Sequence, residues 1–166
     1  MNKYDQAYMR MAFEFSKTSA AVRRQVGCLI VKDNCIVAEG VNGTPPGWPT
    51  NICEDTDGYT KSCVVHAEMG AINKALANRG SASIEGANVF VTLSPCADCA
   101  LALIKHKVKQ VVFMEKYKDV SGLAMLIQNG IFILQFTGTN FDITRSEGRQ
   151  LMTSNRHPKP NKPRAN

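Results

Sequence analysis

The sequence predicts an α/β protein in which about five strands form a mixed sheet with helices on both faces, a three-layer arrangement. Short apolar runs of strand length alternate with segments of helical periodicity between residues 26 and 136. The first two runs are separated only by Lys32-Asp33-Asn34, which is typical of a β-hairpin. The later runs are separated by helical segments, which is typical of parallel βαβ units.

The first elements are a helix and a hairpin. Residues 2–19 repeat apolar side chains at i, i+3, i+4, i+7 and i+11, which predicts an amphipathic helix that packs on the sheet. Residues 26–31 and 35–41 are predicted as the two hairpin strands. The polar segment between this helix and the hairpin contains Arg23 and Arg24.

The remaining elements alternate. The periodic segment at 66–79 predicts a helix that ends with Gly80 as its C-cap. Serine is a common N-cap residue and proline is favoured at position N1, so Ser94-Pro95 predicts a helix that starts at Pro95 or Cys96. The other predicted elements are strands at 88–93, 109–115 and 131–136 and a helix at 122–129. We predict a catalytic domain over 1–136 and a C-terminal extension over 137–166, with a weak helix at 145–152 and a basic, proline-rich, disordered tail at 156–166.

Length and charge limit the function classes. A chain of 166 residues that is 44% hydrophobic can bury one core, and it contains no apolar run long enough to span a membrane. Four of its six net positive charges lie in the last eleven residues, so the other 155 carry a net charge of +2. Such a body suits a small anionic substrate and does not require a nucleic-acid polymer. Because no signal peptide is evident, we expect a cytoplasmic protein.

The six cysteines allow two interpretations. They could form a disulfide framework, but no sequence feature indicates an oxidising compartment, and the chain has enough apolar residues for an ordinary core. Reduced thiols, two of them on a metal ion, are the better account.

Two short motifs carry the chemistry. His66-Ala67-Glu68 and Pro95-Cys96-Ala97-Asp98-Cys99 supply one imidazole and two thiols at the starts of two predicted helices. Three protein ligands leave the fourth tetrahedral position of zinc for water, as in catalytic sites. Zinc lowers the pKa of such a water, helix N-termini favour thiolates, and Glu68 can carry protons during a hydrolytic deamination. In the alternative, a structural zinc module, Glu68 only caps a helix, although a structural zinc would normally have a fourth protein ligand.

At these residues the chain resembles the cytidine deaminase superfamily, in particular its deoxycytidylate (dCMP) deaminase branch. The resemblance runs from about residue 5 to residue 136. Besides the two motifs, it rests on the strand pair with the loop Asn42-Gly43-Thr44-Pro45 and on the segment Lys116-Tyr117-Lys118-Asp119. It implies the cytidine deaminase-like fold, zinc on His66, Cys96 and Cys99, and Glu68 as the proton shuttle.

The resemblance also implies substrate contacts. Asn42 would contact the sugar, backbone near Ala67 and Ser94 would read the pyrimidine, and Tyr117 would line the nucleotide pocket. Arg23 and Arg24 are candidates for the substrate phosphate from their position alone, and a solvated basic pair is the alternative.

Relatives in this branch imply further properties. Many are homo-oligomers, often hexamers, with dCTP as activator and dTTP as inhibitor, bound with Mg²⁺. Some carry a second zinc before the His-Ala-Glu helix; here Cys53 and Cys63 are in range, but that loop lacks histidine, so the question stays open. The chain departs from the usual pattern at Gly70, where the branch has a polar side chain one turn from the ligand.

Two other functions compete with dCMP deamination. A tRNA adenosine deaminase shares the His-Ala-Glu motif and would explain the basic tail, but such enzymes must accommodate a flipped base with its flanking nucleotides. A non-catalytic, zinc-stabilised interaction module would use the tail as its working part. We expect zinc-dependent conversion of dCMP to dUMP and ammonia, without nucleic-acid or membrane partners.

Overall fold

Six strands form one mixed sheet in the computed structural model, which describes residues 4–138 and 141–143. Along the chain the strands are β1 (Gly27–Lys32), β2 (Cys35–Val41), β3 (Asn88–Leu93), β4 (Gln110–Glu115), β5 (Phe132–Phe136) and β6 (Phe141–Ile143). The helices are α1 (Asp5–Ser16), α2 (Ala67–Arg79), α3 (Ala97–Lys105) and α4 (Ser121–Gln128), with a short 3₁₀ turn at Ser81–Ser83. The strand order across the sheet is β2-β1-β3-β4-β5-β6.

Strand directions follow from the connections. The hairpin makes β1 and β2 antiparallel, with Asp33 and Asn34 at positive φ in the turn, as the twist of a tight hairpin requires. Strand β1 is also antiparallel to β3, whereas β3, β4 and β5 are parallel and are joined through α3 and α4. The mixed sheet predicted from the sequence is therefore confirmed.

Both faces of the sheet are covered. Alternate residues of β1 and β3 enter different cores: Ile30 and Val91 pack with α2, α3 and α4, whereas Leu29 and Phe90 pack with Tyr8 and Met9 of α1. Strands that are buried on both faces need apolar residues at nearly every position, which explains the continuous runs in the sequence. The three-layer arrangement is thus as expected.

The sheet has one strand more than the five expected. Strand β6 pairs antiparallel with β5 through Leu134, Gln135 and Phe136, so the sheet continues beyond residue 136. The predicted helix at 145–152 and the predicted disordered tail at 156–166 lie outside the described residues. Within the described part of the chain, no helix is both long and apolar enough to cross a membrane.

Candidate functional site

The candidate site lies at the edge of the sheet where several strands end. Strands β2 and β3 point the same way because each is antiparallel to β1, and β4 is parallel to β3. Their carboxyl ends therefore share one edge, where open α/β sheets commonly bind ligands. A cavity of about 530 Å³ opens at this edge, and Asn42, Ser94 and Tyr117, which follow these three strands, line it.

The three metal-ligand candidates converge at two helix starts. His66 is the N-cap of α2 and Cys96 is the N-cap of α3, both with extended backbone, and Cys99 lies in the first turn of α3. Gly43 and Val65 pair through two backbone hydrogen bonds of 3.1 and 2.8 Å. This pairing fixes the residue before His66 against the end of β2, although 24 residues separate Val41 from His66.

The distances between the donor atoms suit a zinc ion. The Nδ1 atom of His66 lies 3.5 Å from Sγ of Cys96 and 3.4 Å from Sγ of Cys99, and all three donors lie within 4.8 Å of one another. A nitrogen and a sulfur ligand of tetrahedral zinc, at ordinary bond lengths, are about 3.6 Å apart. The residues therefore fit zinc in donor type and in spacing, with three protein ligands.

Glu68 is a buried carboxyl group on the cavity wall. It is the second residue of α2 and is only 4% exposed. Burial raises the pKa of this carboxyl above its ordinary value of 4.5, against lowering contributions from its own backbone N–H, His66 and Cys99. A raised pKa brings a carboxyl group closer to the range in which it can both accept and donate a proton near neutral pH.

The environment of Cys99 differs from the sequence-based expectation. The position at a helix N-terminus predicts a lowered thiol pKa, but burial, followed by the charges of Glu68 and Cys96, raises the pKa of Cys99 well above its ordinary value of 9.0. The Cys99 side chain is only 1% exposed, and burial of this kind disfavours the charged thiolate. A divalent cation at the donors would oppose these contributions, because it favours the thiolate.

Every predicted substrate contact lines the cavity. Asn42, Ala67, Ser94, Tyr117, Arg23 and Arg24 all lie on its wall, together with His66, Glu68 and Cys96. The predicted helix start was wrong by one or two residues, because α3 begins at Ala97 with Cys96 as its N-cap. Ser94 therefore does not cap α3; its hydroxyl oxygen accepts a 2.8 Å hydrogen bond from the backbone N–H of Tyr117.

The side chain of Asn42 is used largely within the protein. Its Oδ1 accepts hydrogen bonds from the backbone N–H of Val26 at 2.7 Å and from the hydroxyl of Ser19 at 2.8 Å. Its Nδ2 donates a 2.8 Å hydrogen bond to the carbonyl of Arg24. An amide nitrogen carries two protons, so one donor position of Asn42 is left for a ligand.

The two arginines differ in their contacts. Arg24 forms a 3.0 Å ion pair with Glu115, and both side chains are more than half exposed. The guanidinium of Arg23 lies 5.9 Å from the ring centroid of Tyr59, at the limit of a cation–π contact. Both arginines line the cavity, and both are exposed to solvent.

Sequence reasoning missed several cavity residues, notably Glu54, Tyr59 and Lys118. Glu54 and Tyr59 lie in the polar loop between β2 and α2, where no local pattern marks a functional residue. Lys118 belongs to the segment that carried part of the family resemblance, so the sequence could have indicated Lys118 as a cavity residue.

Among the described residues, His66, Cys96 and Cys99 are the one group of three or more His, Cys, Asp or Glu side chains close enough to share a metal ion. Cys53 and Cys63 thus belong to no second group of that size.

Comparison with known proteins gives a consistent result. Residues 2–115 match the family model described as the cytidine and deoxycytidylate deaminase zinc-binding region. A probable deoxycytidylate deaminase of Caenorhabditis elegans is 40% identical over 124 residues, which cover 72% of this chain and 61% of the relative. The deoxycytidylate deaminase of Mus musculus is 33% identical, over 70% of this chain and 68% of the relative.

A solved structure is also similar. The dCMP deaminase of cyanophage S-TIM5, crystallised in complex with dCMP and dUMP, superimposes with a TM-score of 0.79 and 38% sequence identity. The match covers 82% of this chain and 99% of the phage protein. The similarity therefore includes nearly the whole of a protein of known fold.

Proposed function

The chain belongs to the cytidine and deoxycytidylate deaminase family, and from that premise we propose that it converts dCMP and water to dUMP and ammonia. The observation that carries the proposal is the buried carboxyl of Glu68 on the wall of a cavity that also contains a three-donor zinc set. The names of the similar enzymes support dCMP as the substrate.

His66, Cys96 and Cys99 hold the zinc ion in this proposal. When bound there, zinc lowers the pKa of a water molecule and makes it a competent nucleophile near neutral pH. Glu68 accepts a proton from the attacking water on its carboxylate and delivers it to N3 of the cytosine ring. The C4–O bond forms in this step. Glu68 then takes the remaining proton from the new C4 hydroxyl and passes it to the exocyclic amine, so that the C4–N bond breaks, the C4 carbonyl forms and ammonia leaves. A carboxyl group with a raised pKa suits these two opposite transfers.

The other cavity residues bind and orient the nucleotide in this proposal. The second Nδ2 proton of Asn42 is directed to the sugar, backbone at Ala67 and Ser94 contacts the base, and Tyr117 lines the pocket. Arg23 and Arg24 bind the phosphate, with Lys118 as a third cation at the same cavity. These three cations outnumber the two carboxyl groups of the cavity wall, Glu54 and Glu68, which favours an anionic substrate over an uncharged nucleoside.

The competing functions receive less support. The basic tail that motivated a tRNA deaminase or an interaction module lies outside the described residues. A structural zinc module gives no reason for a buried, desolvated Glu68 beside the donor set, because burying an ionisable group costs free energy. Neither alternative has an observation that favours it.

Several properties extend the proposal. We place the reaction in the cytoplasm, where thiols stay reduced, because a zinc site that uses Cys96 and Cys99 needs reduced thiols. We also propose a homo-oligomer, a hexamer by resemblance, and regulation by dCTP and dTTP with Mg²⁺. Residues 1–136 would form the catalytic domain, to which β6 adds an edge strand.

Ammonia release by the zinc-loaded protein tests the proposed function. dCMP, deoxycytidine, dCTP and a tRNA are compared as substrates, with Glu68→Ala as the blank. Turnover of dCMP that is much faster than turnover of deoxycytidine, and that the variant lacks while it still binds zinc, supports the proposal. Turnover of the tRNA alone, or full activity in Glu68→Ala, contradicts it.

A further inference from the structure

A single carboxylate joins the loop between β2 and α2 to the segment that carries both arginines. Oε1 of Glu54 accepts hydrogen bonds from the backbone N–H groups of Val22 at 2.9 Å and of Arg23 at 3.0 Å. Residues 19–26, which we call the basic segment, contain no helix or strand up to the start of β1. Contacts from other parts of the chain must therefore fix their conformation.

The two ends of the basic segment are held by Asn42, and its middle is held by Glu54. The side chain of Asn42 bonds to Ser19, Arg24 and Val26. Without Glu54, the N–H groups of Val22 and Arg23 would lose the carboxylate oxygen that accepts both of them. The backbone position of Arg23, and hence the reach of its guanidinium, depends on this carboxylate.

A second contact from the same loop reaches the same arginine. Tyr59, five residues after Glu54, lies with its ring 5.9 Å from the Arg23 guanidinium. The loop thus contacts Arg23 through both backbone and side chain. Glu54, Tyr59 and Arg23 all line the cavity, so this arrangement faces the ligand space.

The negative charge of Glu54 disfavours binding of an anionic nucleotide, so its place on the cavity wall needs an explanation. A carboxylate on the wall of a cavity that takes an anionic nucleotide repels the phosphate. Two converging N–H groups stabilise the charge on Oε1 and make its position definite, as in backbone nests that bind anions. The carboxylate is therefore better explained as an internal anchor than as a ligand for the substrate.

We propose that Glu54 is a positioning residue that sets the preference for a nucleoside monophosphate over the unphosphorylated nucleoside, through Arg23. This inference rests on the proposed function. It predicts that Glu54→Ala weakens the interaction with the phosphate and leaves the chemistry at Glu68 unchanged. Glu54→Gln keeps an oxygen that accepts the same two N–H groups, so it should restore most of the preference.

Steady-state kinetics of Glu54→Ala and Glu54→Gln on dCMP and deoxycytidine test the inference. We expect Glu54→Ala to raise KM for dCMP by about tenfold or more, because a displaced Arg23 loses its hydrogen bonds to the charged phosphate. We expect kcat to stay within about threefold of the wild-type value. The constants for deoxycytidine should not change, and Glu54→Gln should lie near wild type. Equal losses on both substrates, a fall in kcat alone, or a glutamine variant as impaired as the alanine variant would each overturn the inference.

Asp55→Ala is the matched control. Oδ1 of Asp55 also accepts two backbone N–H groups, from Asp57 at 3.0 Å and from Tyr59 at 2.9 Å, but both lie within its own loop. If Asp55→Ala raises KM for dCMP as much as Glu54→Ala does, general loosening of the loop explains the effect and the inference fails. Thermal unfolding confirms that each variant is folded.

Binding of dUMP and deoxyuridine, measured by calorimetry, separates this inference from the proposed function. If the wild-type protein does not turn over dCMP, the proposed function fails. The inference still stands if the protein prefers dUMP to deoxyuridine and loses that preference in Glu54→Ala. If binding is indifferent to the phosphate, or to the substitution, the inference fails as well.

Discussion

Replacing Gly40 by alanine should displace the helix that carries His66 and Glu68. A Cβ atom at position 40 of β2 would lie 2.2 Å from the carbonyl oxygen of Ala67 and 2.4 Å from the backbone nitrogen of Ala71. Both atoms belong to the backbone of α2, so no side chain can rotate away. Since ordinary contacts begin near 3.4 Å, α2 has to retreat by roughly 1 Å.

Two magnitudes follow from this displacement. Overpacking of a tight contact costs about 1–3 kcal/mol of unfolding free energy. A shift of roughly 1 Å in a catalytic group can lower the rate by about 10²-fold, because the proton transfers need short, aligned contacts. Zinc affinity should fall too, because His66 moves while Cys96 and Cys99, on α3, do not.

Denaturant unfolding, zinc titration and kcat for dCMP measure these effects in Gly40→Ala. Gly70→Ala is the control, because a Cβ there meets only the carbonyl oxygen of Val41 at 3.7 Å and Cα of Gly40 at 3.8 Å. It lies on the same helix, and alanine should stabilise that helix by about 0.5–1 kcal/mol. If Gly40→Ala keeps wild-type stability, zinc affinity and kcat, α2 does not depend on this close approach.

Three further predictions concern charge. Zinc binding at pH 7 should release at least one proton, because burial raises the pKa of the Cys99 thiol whereas zinc needs the thiolate. The affinity for zinc should therefore fall as the pH is lowered. Calorimetry in two buffers measures the proton release, and finding none would contradict the prediction. Glu68→Gln should abolish turnover but stabilise the metal-free protein. Because the pKa of Glu68 is raised, its buried charge lowers the free energy of unfolding above that pKa and has no such effect below about pH 4.5. Denaturant unfolding should therefore show the variant to be more stable than wild type at pH 7 and not at pH 4. Glu115→Gln should release Arg24 from its ion pair and lower KM for dCMP by up to about fivefold, which corresponds to the free energy of an exposed ion pair. The effect should be smaller at high salt. An increased KM would show that the ion pair aids binding.

Local patterns in the sequence predicted the structural features that depend on residues close together in the chain. The turn at Asp33 and Asn34 joins two adjacent apolar runs, and the spacing of Cys96 and Cys99 sets both thiols at one helix start. In each case the partners lie within a few residues, so periodicity and spacing contain the information. The hairpin and the pair of thiols were therefore accessible from local patterns, whereas His66, 30 residues before Cys96, was linked to them by the combined His-x-Glu and Cys-x-x-Cys signature.

Interactions with distant residues account for most of what the sequence did not predict. Ser94 has the chemistry of an N-cap, but its hydroxyl bonds to Tyr117, 23 residues later, and the helix starts at Ala97 instead. Strand β6 has three residues with Asp142 at its centre, and its pairing with β5 gives it its conformation. Glu54 is one acidic residue in a polar loop until its contacts with Val22 and Arg23 are known.

The geometry of the metal site also depends on two glycines that touch no ligand atom. A Cβ at Gly40 would meet the backbone of α2 near His66, and a Cβ at Gly122 of α4 would lie 2.1 Å from the carbonyl of Pro95 and 2.7 Å from that of Cys96. One glycine thus lets the His66 helix approach β2, and the other lets α4 approach the Cys96 turn. Because zinc coordination tolerates only small changes in donor spacing, side chains at either position would separate donors that now lie 3.4–3.5 Å apart. The ligand motifs supply the donor atoms, and these close backbone contacts supply their spacing.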